Sequence, residues 1–311
     1  MSAVRDVVGS LRGFGHEILL YRGLEDLVAR TAAYLAEGLS GDEPVLVALL
    51  PERNQAVAAA LERLGEDPDR VRFVDMRALG ANPARIIPAW QAYVDEAISG
   101  AVGCGGAPAR VLAEPLWVGR RPVEVEECLV HEGLLDLAFG DGAPWQLLCA
   151  YDAAELPAPH LEAAVRSHRR PDAAAAALVA GLRPPAGPVV ERAFDLEGLL
   201  SVREHVGQRA SAVGVDRDAA QDLVLAAHEL ASNSVQHGGG RGRLRSWSEP
   251  GAFVVEVSDT GRIHDPLVGR QITDVSSEHG RGVWMANQLC DLVQLRSSAA
   301  GTVVRLFAWL S

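Results

Sequence analysis

Between residues 15 and 170 the sequence alternates short apolar runs with stretches of helical period, and this rhythm restricts the fold more than any other feature. Glu17 to Tyr21, Val45 to Leu50, Val71 to Val74, Arg110 to Ala113 and Trp145 to Ala150 read as strands. Between them, Leu24 to Leu39, Asn54 to Leu64, Pro83 to Ile98 and Val123 to Leu137 carry the spacing of helices. Strand, helix, strand in that order implies right-handed crossovers and a mostly parallel, doubly wound α/β sheet. Ligands of such sheets sit beyond the carboxyl ends of the strands. Those ends carry Pro51-Glu52-Arg53-Asn54, Asp75, Glu114-Pro115-Leu116-Trp117 and Tyr151-Asp152. Glu114, Trp117 and Tyr151 are the candidate lining of a pocket there, although polar residues also gather in ordinary loops.

The rhythm stops after a helical stretch from Leu161 to Arg169. An Ala-rich run, Ala173 to Ala177, leads into Arg183-Pro184-Pro185-Ala186-Gly187-Pro188, which cannot continue a helix and favours an extended connector. The expected organisation is an N-terminal extension (1–14), an α/β domain (15–170), a linker (171–188) and a second domain (189–311). The second domain opens with a strand from Val189 to Phe194 and a helix capped by Asp195 and running to about Ala210. A further helix spans about Arg217 to His237 and stops at three glycines. Leu244 to Ser248 pairs with Ala252 to Ser258, and Leu292 to Ser297 with Thr302 to Trp309, each across a short turn. Helices beside an antiparallel-rich sheet make an α+β sandwich.

Within that helix Glu229, Asn233 and His237 recur every four residues, which places a carboxylate, a carboxamide and an imidazole on one face. Such a face costs desolvation when partly buried unless something polar meets it, and a phosphate-bound metal ion would do so. Three more signals follow in order. Asp259-Thr260-Gly261 ends a strand, where the Asp can accept from an exocyclic amine and the Gly allows close backbone approach. His279-Gly280-Arg281-Gly282-Val283-Trp284 precedes an apolar helical pattern through Met285, Leu289 and Leu292, so its backbone N–H groups and helix dipole suit an anion. Thr302 lies on the last strand, where its hydroxyl can face a base or a bound water.

Composition then removes several classes of function. All 29 basic residues are Arg, and the chain has no Lys. A Walker-type phosphate loop, a eukaryotic-type protein kinase and Schiff-base chemistry all need a lysine. A net charge of −12 disfavours direct nucleic-acid binding. The four cysteines, Cys104, Cys128, Cys149 and Cys290, have no paired spacing, which argues against a disulfide framework and a structural zinc site. Charged residues interrupt the first twenty positions, and no stretch approaches the roughly 18 apolar residues of a membrane span, so a cytoplasmic protein without membrane contact is expected.

The first half resembles the MEDS sensory domain of methanogens and methylotrophs. The resemblance rests on His16-Glu17-Ile18-Leu19-Leu20-Tyr21, Glu114-Pro115-Leu116-Trp117-Val118-Gly119-Arg120 and Leu148-Cys149-Ala150-Tyr151-Asp152. It implies a RecA-like sheet without its phosphate loop and a sensing role for a small organic molecule, for which the Glu114, Trp117 and Tyr151 pocket at the strand ends is the candidate place. In the second half, Glu229-x-x-x-Asn233-x-x-x-His237, Asp259-Thr260-Gly261, Gly280-Arg281-Gly282 and Thr302 resemble the N, G1, G2 and G3 boxes of the GHKL ATPase/kinase superfamily, within its anti-sigma-factor serine-kinase branch.

That resemblance implies a Bergerat-type ATP sandwich with ATP and Mg²⁺ as cofactors. Asn233 would hold Mg²⁺, Asp259 with Gly261 would read the adenine, and Gly280, Arg281 and Gly282 would serve the phosphates, with Thr302 near the base. Glu229 is the implied general base, whereas His237 is read as a local structural residue. The implied partners are a sigma factor and a STAS-type anti-sigma antagonist, and family kinases are often dimers. The G1 box lacks the superfamily's second glycine, and Ile263 to Glu278 is short for a nucleotide lid. Two other functions share this site. A sensor histidine kinase needs an accessible phosphoacceptor, for which His131-Glu132 is a superficial match. A non-catalytic ATP-binding module would sequester a partner without transfer.

Overall fold

The computed structural model describes residues 13–99, 108–168, 179–271 and 280–310. Residues 1–12 of the extension, Cys104, Arg169, the Ala-rich run, Glu278 and His279 lie outside the described residues. Two compact units are present, Met1–Pro83 with Ala89–Ala173, and Ala84–Pro88 with Ala174–Ser311.

In the first stretch of chain the elements run β1 (Phe14–Tyr21), α1 (Gly23–Ser40), β2 (Val45–Leu49), α2 (Pro51–Arg63), β3 (Val71–Asp75), α3 (Met76–Leu79), α4 (Ile86–Ile98), β4 (Ala109–Ala113), α5 (Pro122–Phe139), β5 (Trp145–Asp152) and α6 (Ala158–Ser167). The sheet order is β1-β5-β4-β2-β3, and every pairing is parallel. The chain moves one way along the sheet from β1 to β3 and returns through β4 to β5. Right-handed crossovers therefore put α1 and α2 on one face and α4 and α5 on the other. On the first of these faces Leu27, Leu35 and Leu39 of α1 and Val57 and Leu61 of α2 pack onto Val45, Val47 and Leu49. Helix α2 starts three residues before the expected Asn54, because Pro51 takes the first helical position, where a missing N–H is no loss. A 3₁₀ turn over Pro83–Arg85 likewise precedes α4, which the sequence pattern starts at Pro83.

The second unit contains β6 (Val190–Asp195), α7 (Leu199–Ala212), α8 (Arg217–His237), β7 (Arg241–Glu249), β8 (Ala252–Asp259), α9 (Arg281–Leu289), β9 (Leu292–Ser298) and β10 (Gly301–Trp309). Its sheet, ordered β6-β7-β8-β10-β9, is antiparallel throughout. Alternation along the strands sends Phe253, Val255 and Val257 of β8 into a core with Val202, Val206, Leu223, Leu230 and Val283 of the helices. The opposite face carries a cross-strand row, Arg245–Glu256–Arg305, in which buried Glu256 accepts from Arg245 Nη1 at 2.9 Å and from Arg305 Nε at 2.7 Å.

Asp195 does not cap α7. It ends β6, and its carboxylate accepts from Gly198 N at 3.1 Å, folding a turn that delays the helix to Leu199. Leu292 opens β9 instead of extending α9, which ends at Leu289. Among the described residues no helix is long and apolar enough to cross a membrane.

Candidate functional site

Helix α8 starts on Asp216, whose side chain accepts from Asp218 N at 2.9 Å. Its buried stripe, from Ala220 and Leu223 through Leu230 and Ala231 to Ser234, packs into the core. This fixes the rotation of the helix and leaves the Glu229, Asn233 and His237 row at the margin. Glu229 and Asn233 are half-buried, whereas His237, at the last helical position, is exposed. The first turn of α9 lies against this row. Its N-cap, Gly280, is left-handed (φ 86°), and a Cβ built on Gly282 would stand 2.5 Å from Asn233 Nδ2 and 3.7 Å from Glu229 Cβ. A glycine at 282 lets the α9 backbone come this close without displacing the Asn233 carboxamide. Arg281, between the two glycines, is exposed.

Asp259, at the end of β8, has both carboxylate oxygens engaged. Oδ2 accepts from Ser234 Oγ at 2.6 Å and Oδ1 from Gly261 N at 2.8 Å. A carboxylate offers about four lone-pair sites, so acceptor capacity remains for a ligand N–H. Gly238 and Gly261 make room for it, since a Cβ on either would meet Asp259 Oδ1 at 2.6 or 3.0 Å. The following loop is tied to the far strands. Buried Thr302 donates to Gly261 O at 2.9 Å and lies 3.0 Å from Ser297 Oγ, which accepts from Ile263 N at 2.8 Å. Asn287 of α9 donates to Gly269 O at 2.9 Å, joining that loop to the α9 helix.

These parts enclose a cavity of about 460 Å³ with Leu230, Val257 and Val304 on its apolar side and Asn233, Asp259 and Thr302 among its polar groups. That is the size and make-up of a small-molecule site. Of the residues singled out in the sequence, Asn233, His237, Asp259, Gly261, Gly280 and Thr302 line it directly, and Gly282 and Glu229 stand beside Asn233. A larger hollow of about 640 Å³ lies beside Arg243, Glu256 and Arg305, on the sheet face away from these helices. Of the motif set it holds Asp259, Thr260 and Thr302, and neither Asn233 nor Glu229.

Residues 15–169 match the model of the MEDS family, the methanogen/methylotroph, DcmR sensory domain, and residues 193–308 match the histidine kinase-like ATPase domain. The chain is a MEDS domain followed by a histidine kinase-like ATPase domain. No curated protein matches it. Among solved structures, the RsbU and RsbW domains of a Mycobacterium tuberculosis protein are similar at 21% identity, over 40% of this chain and 32% of that one, with a TM-score of 0.31. This chain thus spans about a third of that structure, too loosely superposed to bear on activity.

An ATPase domain of this kind implies ATP binding. The donor set suits the nucleotide: an acceptor seated by two glycines for an amine, and a carboxamide beside a helix start for a metal-bound phosphate. Sequence reasoning missed three supporting residues. Ser234 and Gly238 seat Asp259, and Ser297 links Thr302 to the loop. Ser234 and Gly238 flank the helix motif, but Ser297 gives no local signal.

In the MEDS domain the three candidate pocket residues are held by different partners. Glu114, fully buried, accepts from Tyr21 OH at 2.9 Å and from Arg53 Nη1, and Arg53 also reaches Glu155 at 3.0 Å. Arg53 follows β2 and Glu114 follows β4, adjacent strands whose crossovers leave in opposite directions. This is the switch point at which doubly wound sheets bind ligands, and here an ion pair occupies it. Burial pushes the Tyr21 hydroxyl pKa up, against the pull of Arg53. Trp117 lies under the Arg120 guanidinium at 3.9 Å, and Tyr151 packs edge-on to His168 at 5.9 Å. His131, the superficial match to a phosphoacceptor, is 1% exposed within α5.

Proposed function

We propose that the chain is a sensor-coupled serine/threonine protein kinase of the anti-sigma type, regulating transcription through partner proteins. The observation that carries this reading is the retention of Glu229 one helical turn before Asn233, with the Gly282 backbone packed against both. Asn233 would hold Mg²⁺ against the phosphates, and Mg²⁺ would supply neutralisation of the charge that develops there. Asp259 would accept from the adenine amine, and the α9 start, through Gly280, Arg281 and Gly282, would face the phosphates. Glu229 would accept the proton of a partner's serine or threonine hydroxyl as it attacks. The partners are a sigma factor and its STAS-type antagonist, the MEDS domain supplies the input, a small-molecule ligand, and the working form is a cytoplasmic dimer. A histidine kinase would need His131 accessible, and its burial counts against that reading.

The test is incubation with γ-phosphate-labelled ATP, Mg²⁺ and candidate antagonist proteins. Acid-stable phosphoserine or phosphothreonine on the antagonist is the expected product. Acid-labile autophosphorylation, or ATP binding without transfer to any antagonist, would overturn the proposal.

A further inference from the structure

In the MEDS domain four side chains from four elements converge: His16 on β1, Glu132 on α5, Cys149 on β5 and His168 at the C-cap of α6. Their ligand atoms all lie within 4.8 Å of one another. Nε2 of His16 is 3.3 Å and Nε2 of His168 3.2 Å from the same oxygen, Glu132 Oε2. Cys149 Sγ is 3.5 Å from His16 Nε2 and 3.7 Å from Glu132 Oε1. All four side chains are almost fully buried, His16 and His168 at 3% and Glu132 at 1%.

The hydrogen bonds around the cluster orient the lone pairs inward. Nδ1 of His168 lies 2.8 Å from Ala164 O, a carbonyl that can only accept, so this nitrogen carries the proton and the neutral ring presents a bare Nε2 to Glu132. His168 Nε2 and Glu132 Oε2 are both buried without a hydrogen-bond partner. Two facing acceptors 3.2 Å apart, sealed from water, repel unless positive charge stands beside them, which a metal ion or a protonated His16, 3.3 Å from the same oxygen, supplies. On the other side Asp136 stands 3.6 Å from Nδ1 of His16, the place of the carboxylate that orients a metal-bound imidazole.

We infer that His16, Glu132, Cys149 and His168 form a closed, four-ligand site for a zinc-class divalent ion in the MEDS domain. Zn–N and Zn–O bonds of about 2.0–2.1 Å and a Zn–S bond of about 2.3 Å give tetrahedral edges of roughly 3.3 Å between light ligands and roughly 3.6 Å to sulfur. The separations of 3.2–3.7 Å among these atoms lie near those edges, and the remaining ones, all within 4.8 Å, close to them by small side-chain movements when the ion binds. The mixed sulfur, nitrogen and oxygen set favours Zn²⁺ over Mg²⁺ or Ca²⁺, which take oxygen ligands. Binding replaces the Cys149 proton with the metal and releases it to solvent. With no position left for water, the site binds and does not hydrolyse. The ion ties α6 to the sheet at His168.

The test is cobalt titration of the untagged full-length chain after chelator treatment. One equivalent is expected to bind, with the visible bands of four-coordinate Co²⁺ and a near-ultraviolet thiolate-to-cobalt band, both removed by one equivalent of Zn²⁺. Cys149→Ser loses the near-ultraviolet band while Cys128→Ser keeps it. His16→Ala weakens binding more than about 100-fold and Asp136→Asn about 10- to 100-fold. If Cys149→Ser does not fold, the wild-type spectrum and His168→Gln decide. Absence of cobalt binding at micromolar concentration, binding without the thiolate band, or unchanged affinity in His168→Gln overturns the assignment.

Discussion

Replacing Gly282 by Ala should separate stability from nucleotide affinity. Gly282 is the second residue of α9 with helical backbone, so an alanine fits the conformation and is favoured by up to about 1 kcal/mol in a helix. The new Cβ, however, would sit 2.5 Å from Asn233 Nδ2, where ordinary contact begins at 3.4 Å. The carboxamide must therefore retreat by about 0.9 Å (3.4 minus 2.5), which its flexible side chain can do. A displacement near 1 Å of a positioning group costs up to about 10²-fold in rate, and the metal-dependent part of binding falls with it. Melting temperature should be unchanged or raised by a few degrees, while calorimetry with ATP and Mg²⁺ should show weakened affinity and single-turnover transfer should slow by up to about 10²-fold. The loss should be smaller in chelator, because it acts through the metal-holding carboxamide. Wild-type affinity in a folded variant, or an equal loss with and without Mg²⁺, would refute the placement of Asn233.

Four further outcomes are expected. Asn233→Ala should abolish Mg²⁺-ATP binding, whereas Glu229→Ala should bind ATP normally and transfer phosphate more slowly by roughly 10² or more, as single-turnover assays would read. His205 sets an acid limit on the ATPase domain. Burial, then Arg192 and Arg209, lower its pKa below 6.5, and its Nδ1 accepts from Arg192 Nε at 3.1 Å. The unfolded chain thus takes a proton that the folded domain resists, so His205's contribution is whole above pH 6.5 and is lost as pH falls toward the folded value; His205→Gln should flatten urea-melt stability over that range. Glu256→Gln leaves Arg245 and Arg305 facing each other half-satisfied, and should lower unfolding free energy by about 3 kcal/mol or more, measured by denaturant titration.

The parallel sheet was legible because buried strands and amphipathic helices write different periods, and because crossovers have one hand. The ATPase motifs were legible because Asn233, Asp259 and Gly282 each sit where a helix or strand ends, so a few adjacent residues carry the signal. Boundaries were not. Asp195 has the chemistry of a cap, but the turn it closes at Gly198 is decided by the β6 pairing, and Pro51 starts a helix where proline ordinarily signals a break. At the polar strand ends around Glu114, the pairing of Glu114 with Arg53 carries no local signal, because the two residues are 61 positions apart. The His16, Glu132, Cys149 and His168 cluster was invisible for another reason. Spacing rules for metal sites find ligands that share a loop or helix, whereas these come from four elements joined only by the sheet topology.

The cavity between α8, α9 and the end of β8 is proposed as an ATP site read by Asp259. Isothermal titration of the full chain and of Asp259→Asn with ATP and Mg²⁺ tests it most directly. One ATP per chain in the wild type, lost in a folded Asp259→Asn, is the result expected. Equal affinity in the two proteins, or no ATP binding by the wild type, would contradict it.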